Sequence, residues 1–597
     1  MKSFCYDSDL AQSTRSADPC SVFRSRPFPP FNPKDSDDFF RYKDIFVDDD
    51  FDKNTPGWGV THFNTIEDGL DAVGVGGIVH VYPGVYVPWV RELVVPESIT
   101  LKLYPGAVIG FKKAGSPTGM TVNGSLVAQG TRENPVIFTS SACNPAAGDW
   151  NRLSFGTTSK NSVIDNCIIE YATVGVNVVW DTITEPRHSP VEIMNSTFRE
   201  IGLRGVQFSG WTAPIGVPRD YRPITDVSIT GCSFINVGKG TQGNPMAIYT
   251  RAVKDVEISG NLFHGGQGTY LAYLGVAFEN YLFKDNVIED PGYNQGIYVS
   301  TTRGTAEITR NIFRGQATAA NFRCIYVFGH ENLVIAGNEF RTGSSGVYLL
   351  WFPYGTLGTI IEENLFDGVG TGTSDSFAIV DSLIGNYFGK VVIRNNVIRN
   401  TNGVGIWATP GHKGSCVIEG NFLENNRVGI RVGTPAYNIS SVSVHYNSIA
   451  GNNVGLERIG LVAIPLDATN NWWGNASGPS GMGPGSGDTV STHVVFDPWL
   501  ASLNLSPGIS DNPVNKEHAV TATLRDNRGQ TAMTDLPAVR FEVTGPGNRT
   551  EIVNMEDGMA TLRYSSTMKG TDNISARALF AEKESNLQSI SVFKIWR

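Results

Sequence analysis

Gly296-Ile297-Tyr298-Val299-Ser300 is followed by Asn311-Ile312-Phe313-Arg314, and Cys324-Ile325-Tyr326-Val327-Phe328 by Asn338-Glu339-Phe340-Arg341. The same phrase comes round twice: a small residue, an alternating run, then a strand led by asparagine. Alternation with a period of two puts one face of a strand in a core and the other toward solvent. A whole unit that recurs implies coils stacked on one another, each burying the face of the next.

Outward from this stretch, the reference position falls at Cys167, Ser196, Cys232, Asn261, Asn286, Asn311, Asn338, Asn364, Asn396, Asn421, Asn447 and Asn471, at spacings of 29, 36, 29, 25, 25, 27, 26, 32, 25, 26 and 24 residues. Most are too short for a strand-helix-strand crossover of roughly 30 or more residues, and they suit one turn of a parallel β-coil. An asparagine at this point tolerates the left-handed backbone of a sharp turn and can bond to its counterpart in the next coil. The aligned strand recurs as Gly175-Val176-Asn177-Val178-Val179, Gly205-Val206-Gln207-Phe208-Ser209, Ala247-Ile248-Tyr249-Thr250-Arg251, Gly346-Val347-Tyr348-Leu349-Leu350, Gly403-Val404-Gly405-Ile406-Trp407 and Gly429-Ile430-Arg431-Val432-Gly433. Ile78-Val79-His80-Val81-Tyr82 and Leu101-Lys102-Leu103-Tyr104 read as earlier, more divergent coils.

These runs, together with Ile45-Phe46-Val47-Asp48-Asp49-Asp50, Asn134-Pro135-Val136-Ile137-Phe138-Thr139-Ser140 and Asn470-Asn471-Trp472-Trp473-Gly474, resemble the right-handed parallel β-helix repeat proteins. That superfamily includes secreted polysaccharide lyases, glycoside hydrolases and surface proteins. The resemblance implies an all-β solenoid over residues 44–504, a secreted or cell-surface location and a polysaccharide or surface glycan as partner. Thr65 to Val73, with apolar residues at 66, 70 and 73, reads as a short helix capping the first coil. Residues 1–43, rich in Pro and Phe from Arg26 to Pro33, read as an N-terminal arm. From about residue 505 the alternation changes, through Val520-Ala522-Leu524, Val539-Phe541-Val543 and Ala560-Leu562-Tyr564, to that of a small β-sandwich. The sandwich is similar in architecture to bacterial immunoglobulin-like domains.

Composition agrees. Gly is 66 of 597 residues against 17% charged, favouring turns over long charged helices. A net charge of −10 lacks the basic stripe that nucleic acid or an anionic membrane surface demands. No run reaches the 18 or more apolar residues of a membrane helix, and no apolar leader follows Lys2. The seven cysteines have no paired or metal-binding spacing, which leaves most as small buried hydrophobes, with a Cys5–Cys20 bridge as the one pairing considered. No cofactor and no metal are expected.

In a stack of coils about 4.8 Å apart, the first outward position of the aligned strand becomes a column: Asn177, Gln207, Tyr249, Tyr270, Tyr298, Tyr326, Tyr348, then Val380, Gly405 and Arg431. A second column adds Arg251, Ser300, Phe328 and Trp407, with Trp351 behind. Aromatic planes with hydroxyl tips suit a polysaccharide, and Arg251 suits an acidic sugar. The expected binding residues are therefore Tyr249, Arg251, Tyr270, Tyr298, Tyr326, Tyr348, Trp351 and Trp407. Charged aromatic loops around Trp180–His188 and Trp211–Arg222 flank the wall. A glycosidase would need two carboxyls about 5–5.5 Å or 6.5–9.5 Å apart, and none pair up, since Asp181 and Asp381 lie about seven coils apart on the strip and Glu279 and Glu331 fall in turns. A lyase could draw on Arg251 and His330. Gly411-His412-Lys413-Gly414 departs from the Gly-His-Gly of polygalacturonases, their Asn-Thr-Asp and paired Asp motifs are absent from the wall, and no acidic cluster for calcium of the pectate-lyase kind is expected. The expectation is a glycan-engaging β-helix, with lyase or hydrolase activity open. The alternative is a structural surface protein or adhesin.

Overall fold

The computed structural model describes residues 42–597 apart from 114–117, 181–182, 184, 213–220, 241–242, 276–278, 318–321, 351–357, 371–375, 383–388, 411–413, 435–440 and 461–463. The chain forms two compact units, one ending at Tyr249 and the other beginning at Thr250. Both are built from parallel strands stacked coil on coil, so the fold is an all-β parallel β-helix with a small β-sandwich at its C-terminal end.

In the first unit, Asp44–Val47 pairs with Ile78–Val81 and that strand with Thr100–Leu103, residue for residue. The expected helix is present at Ile66–Ala72: Thr65 caps it by accepting from the Asp68 backbone N–H at 3.2 Å, and Ile66 and Leu70 are buried. Gly69 lies so close to Val47 that a Cβ there would approach its side chain to 2.7 Å, which seats the helix against the first coil. Later coils stack Phe198 on Phe234, ring centroids 5.0 Å apart.

In the second unit the asparagines do what their recurrence implies. Each of Asn261, Asn286, Asn311, Asn338, Asn364, Asn396, Asn421 and Asn447 donates its side-chain amide to the Oδ1 of the next, at 2.9–3.0 Å, down to Asn471. That oxygen also accepts the backbone N–H of the preceding member, as Asn338 does from Asn311. The whole ladder is buried, and its polar groups have no water to fall back on, so the bonds fix coil register as well as stability. A shorter ladder runs Asn426 to Asn452 to Asp488, where burial pushes the Asp488 carboxyl above its usual range. Trp473, fully buried, and Gly478, whose missing side chain makes room for the Trp499 ring, close the last coil.

The sandwich sets the sheet of Leu500–Ser506, His518–Asp526 and Met559–Tyr564 against a larger sheet that includes Ala538–Thr544, Gly570–Phe580 and Val592–Trp596. Its core of Val520, Leu524, Val539, Phe541, Leu562 and Trp596 continues onto outward-facing Val397, Phe422 and Trp472 of the coils. Trp472 Nε1 donates to Asn586 Oδ1 at 2.6 Å across that contact. Cys167, Cys232, Cys324 and Cys416 are buried thiols and Cys143 is exposed, and no disulfide forms among the described residues. Cys5 and Cys20 lie outside them. Burial pushes the Cys232 thiol up to about 12. Among the described residues no helix is long and apolar enough to cross a membrane.

Candidate functional site

The aligned strand sets the site. In the second unit its register runs Tyr273, Tyr298, Tyr326, Tyr348, Val380, Trp407, Arg431, Glu457, one residue per coil. Inward neighbours such as Ile297, Val299, Ile325 and Val327 are fully or almost fully buried, so this column faces outward by simple alternation.

Glu279 and Glu331, expected in turns, lie in the strands Glu279–Lys284 and Arg323–Ala336, and three placements on the strip differ from the sequence reading. Tyr273, which that reading passed over, occupies the column, while Tyr270 pairs with Gln295 in the row beside it. Tyr270 still joins the aromatic group, its ring centroid 5.7 Å from that of Tyr273 and 4.5 Å from that of Tyr298. Trp407 stands in the column itself, where Gly405 was expected, because the Gly-Ile-aromatic pattern of Gly296-Ile297-Tyr298 recurs as Gly405-Ile406-Trp407. Asp381 is not on the strip: one residue beyond outward Val380, it points into the coil, fully buried between Leu349 and Ala408.

Ring orientation was beyond sequence reasoning. Tyr273, Tyr298, Tyr326 and Tyr348 stack face to face, with centroids 5.3, 5.3 and 5.4 Å apart and interplanar angles of 11°, 18° and 23°. Each ring covers the face of the next. What the ladder turns outward is a row of phenol edges and hydroxyls about 14 Å long over three steps, not a pavement of ring faces. Partial burial raises the phenol pKa of Tyr270, Tyr298 and Tyr326, which keeps these hydroxyls protonated and able to donate.

Arg323 was missed because it precedes the alternating run. It pairs with Gln295 and Ser345 in the row beside the ladder, and its guanidinium carbon lies 5.2 Å from the Tyr326 ring centroid and 4.4 Å from that of Tyr348. Among the described residues no carboxylate pairs with it. Other cations on the coils do have partners: Arg310 with Asp285, Arg314 with Glu289, Arg394 with Glu362, Arg399 with Asp367 and Arg431 with Glu457. Arg323 is thus a partly exposed, unneutralised charge held over two tyrosine rings.

The remaining expected residues fall elsewhere. Tyr249 belongs to the first unit, where Arg204 lies 4.0 Å over its ring and donates to Gln207 at 2.6 Å. Gln207 aligns with Asn177 as expected. Arg251 is the second residue of the second unit, half-buried. Trp351 lies outside the described residues. His330 lies in a strand, Arg323–Ala336, but its side chain is outside the description. Ser300 and Phe328 do align in the second column. Of the flanking loops, Trp180 proves to be buried, bonding to the Phe155 carbonyl at 3.0 Å, and Asp181 and the 213–220 stretch lie outside the description. Among the described residues of this column no two carboxylates face each other, so the column itself offers no glycosidase pair.

No protein family matches the chain, and no curated protein is significantly similar to it.

Proposed function

We propose that this protein binds an acidic polysaccharide along the ladder Tyr273–Tyr298–Tyr326–Tyr348. The observation that carries the reading is Arg323: a cation without a carboxylate partner among the described residues, laid over the rings in a chain whose net charge is −10. A uronate or sulfate group supplies the anion that Arg323 lacks, in the planar two-point contact that guanidinium favours. The phenol hydroxyls, repeated at coil spacing, offer donors to successive sugar hydroxyls. Rings stacked on one another lose no side-chain freedom when a ligand lands, which lowers the entropy lost on binding.

Mutual stacking of tyrosines also favours a second reading, in which the ladder only holds coils together. Calorimetric titration with polygalacturonate and with a neutral glucan separates the two. The binding reading expects affinity for the acidic chain, weakened about tenfold or more in Arg323→Ala, and little for the neutral one. Equal silence of the unaltered protein toward both leaves the structural role. Cleavage is not part of the proposal: the described residues of the ladder column hold no pair of carboxylates.

A further inference from the structure

The first unit carries a hydrogen-bonded chain of different chemistry. Asp44, at the start of its strand, bonds through Oδ1 to His80 Nε2 at 3.1 Å, and His80 Nδ1 bonds to the Tyr104 hydroxyl at 3.0 Å. The three residues come from three successive stacked strands: Phe46 pairs with His80 and His80 with Lys102, so Asp44 and Tyr104 flank the imidazole diagonally on the same outward face. A carboxylate only accepts, so the Nε2 proton goes to Asp44 and Nδ1 is left to accept from the phenol. Phe46 stacks on the imidazole with centroids 5.2 Å apart, and His80 has only 15% of its side chain exposed, so the ring is held from both sides. Lys102 places its ammonium 5.0 Å from the Tyr104 ring centroid, and among the described residues no carboxylate pairs with it.

Carboxylate, oriented imidazole and hydroxyl in series form the arrangement that activates a nucleophile in acyl transfer, with a phenol in the place of an alcohol. We propose that Tyr104 is an acyl-accepting nucleophile, His80 its general base and Asp44 the positioning residue, acting on small acyl esters. Tyr104 Oη attacks the ester carbonyl carbon while its proton passes to His80 Nδ1. The ester C–O bond then breaks, and the departing alcohol takes that proton. Water hydrolyses the acyl-tyrosine in the reverse sense, giving one proton to Nδ1, from which it returns to the phenol oxygen as the acid leaves. Lys102 favours the negative charge that develops on the oxygens. The edges of Phe46, Tyr82 and His62 around the chain suit an apolar acyl group.

The test uses the full chain and p-nitrophenyl acetate, with acetyl uptake read tyrosine by tyrosine by peptide mass spectrometry. Tyr82 is the internal reference: its ring lies 5.4 Å from that of Tyr104 in the same stack, but it is not bonded to His80. Acetylation of Tyr104 about a hundredfold faster than of Tyr82, falling to the Tyr82 rate in His80→Phe, is the expected result. Equal rates at the two tyrosines overturn the proposal, and they do so in the unaltered chain even if His80→Phe fails to fold. An unchanged Tyr104 rate in a folded His80→Phe overturns it too. For Asp44 the readout is the nitrogen spectrum of 15N-histidine-labelled protein: the proposal expects unprotonated Nδ1 in His80 and a mixed tautomer in Asp44→Asn. Unprotonated Nε2 in the unaltered protein contradicts it.

Discussion

Asn338 shows what a single side chain does in a coil interior. Its amide donates to the Ile308 carbonyl at 2.8 Å and to Asn364 Oδ1 at 2.9 Å, and its oxygen accepts both the backbone and side-chain N–H groups of Asn311. Replacing it with Ala strands these groups at a site 1% exposed. At about 1–3 kcal/mol for each buried group left unsatisfied, Asn338→Ala is expected to lower unfolding free energy by about 3 kcal/mol or more, read as a drop in the urea midpoint. His518 gives a residue-level pH dependence in the sandwich. Burial, helped by the Lys594 charge and opposed by Asp572, lowers its pKa from 6.5. The unfolded chain therefore binds this proton more readily than the folded one, so stability is full above about pH 6.5 and falls as the pH drops from there through the depressed folded value. Urea midpoints measured from pH 7.5 to 5 should fall with acidification, and should fall less in His518→Phe.

At the scale of the element, the strand corner is governed by close approach. A Cβ on Gly429 would lie 2.7 Å from the Gly455 carbonyl oxygen, and one on Gly405 2.6 Å from that of Gly429. Gly429→Val is therefore expected to force neighbouring coils apart and cost about 1–3 kcal/mol, visible as a lowered melting temperature. This corner also explains how far the sequence could be read. The alternation of Ile297-Tyr298-Val299 fixes which side chains face out, so the wall was legible, as were the asparagine ladder and the capping helix. Register was harder, because Gly268-Thr269-Tyr270-Leu271-Ala272-Tyr273 offers two tyrosines and Gly403-Val404-Gly405 two glycines; only the pairing with the next coil chooses Tyr273 and Gly405-Ile406-Trp407. Ring stacking and Arg323 depend on side-chain torsion and on a residue ahead of the alternating run. Neither leaves a periodic trace in the sequence. Asp44, His80 and Tyr104 escaped for a related reason, being 36 and 24 residues apart and joined only by coil stacking.

For the whole molecule, the acidic balance of 57 carboxylates against 47 Lys and Arg gives a surface on which an unpaired arginine is conspicuous. Salt bridges along the coils neutralise cations such as Arg310, Arg314, Arg394, Arg399 and Arg431 locally, and exposed pairs of this kind add little stability. Arg323, with no carboxylate partner among the described residues, sets one unneutralised charge beside the tyrosines. An acidic glycan is then attracted at one point and repelled over much of the remaining surface, which favours a defined binding register over diffuse adhesion. The central claim is therefore about place. Its most direct test is covalent footprinting of tyrosine and arginine side chains in the full chain, with and without saturating polygalacturonate. The account predicts protection of Tyr298, Tyr326, Tyr348 and Arg323 together, with Tyr104 and the sandwich unchanged. Unaltered labelling of the ladder while the glycan is bound would contradict it.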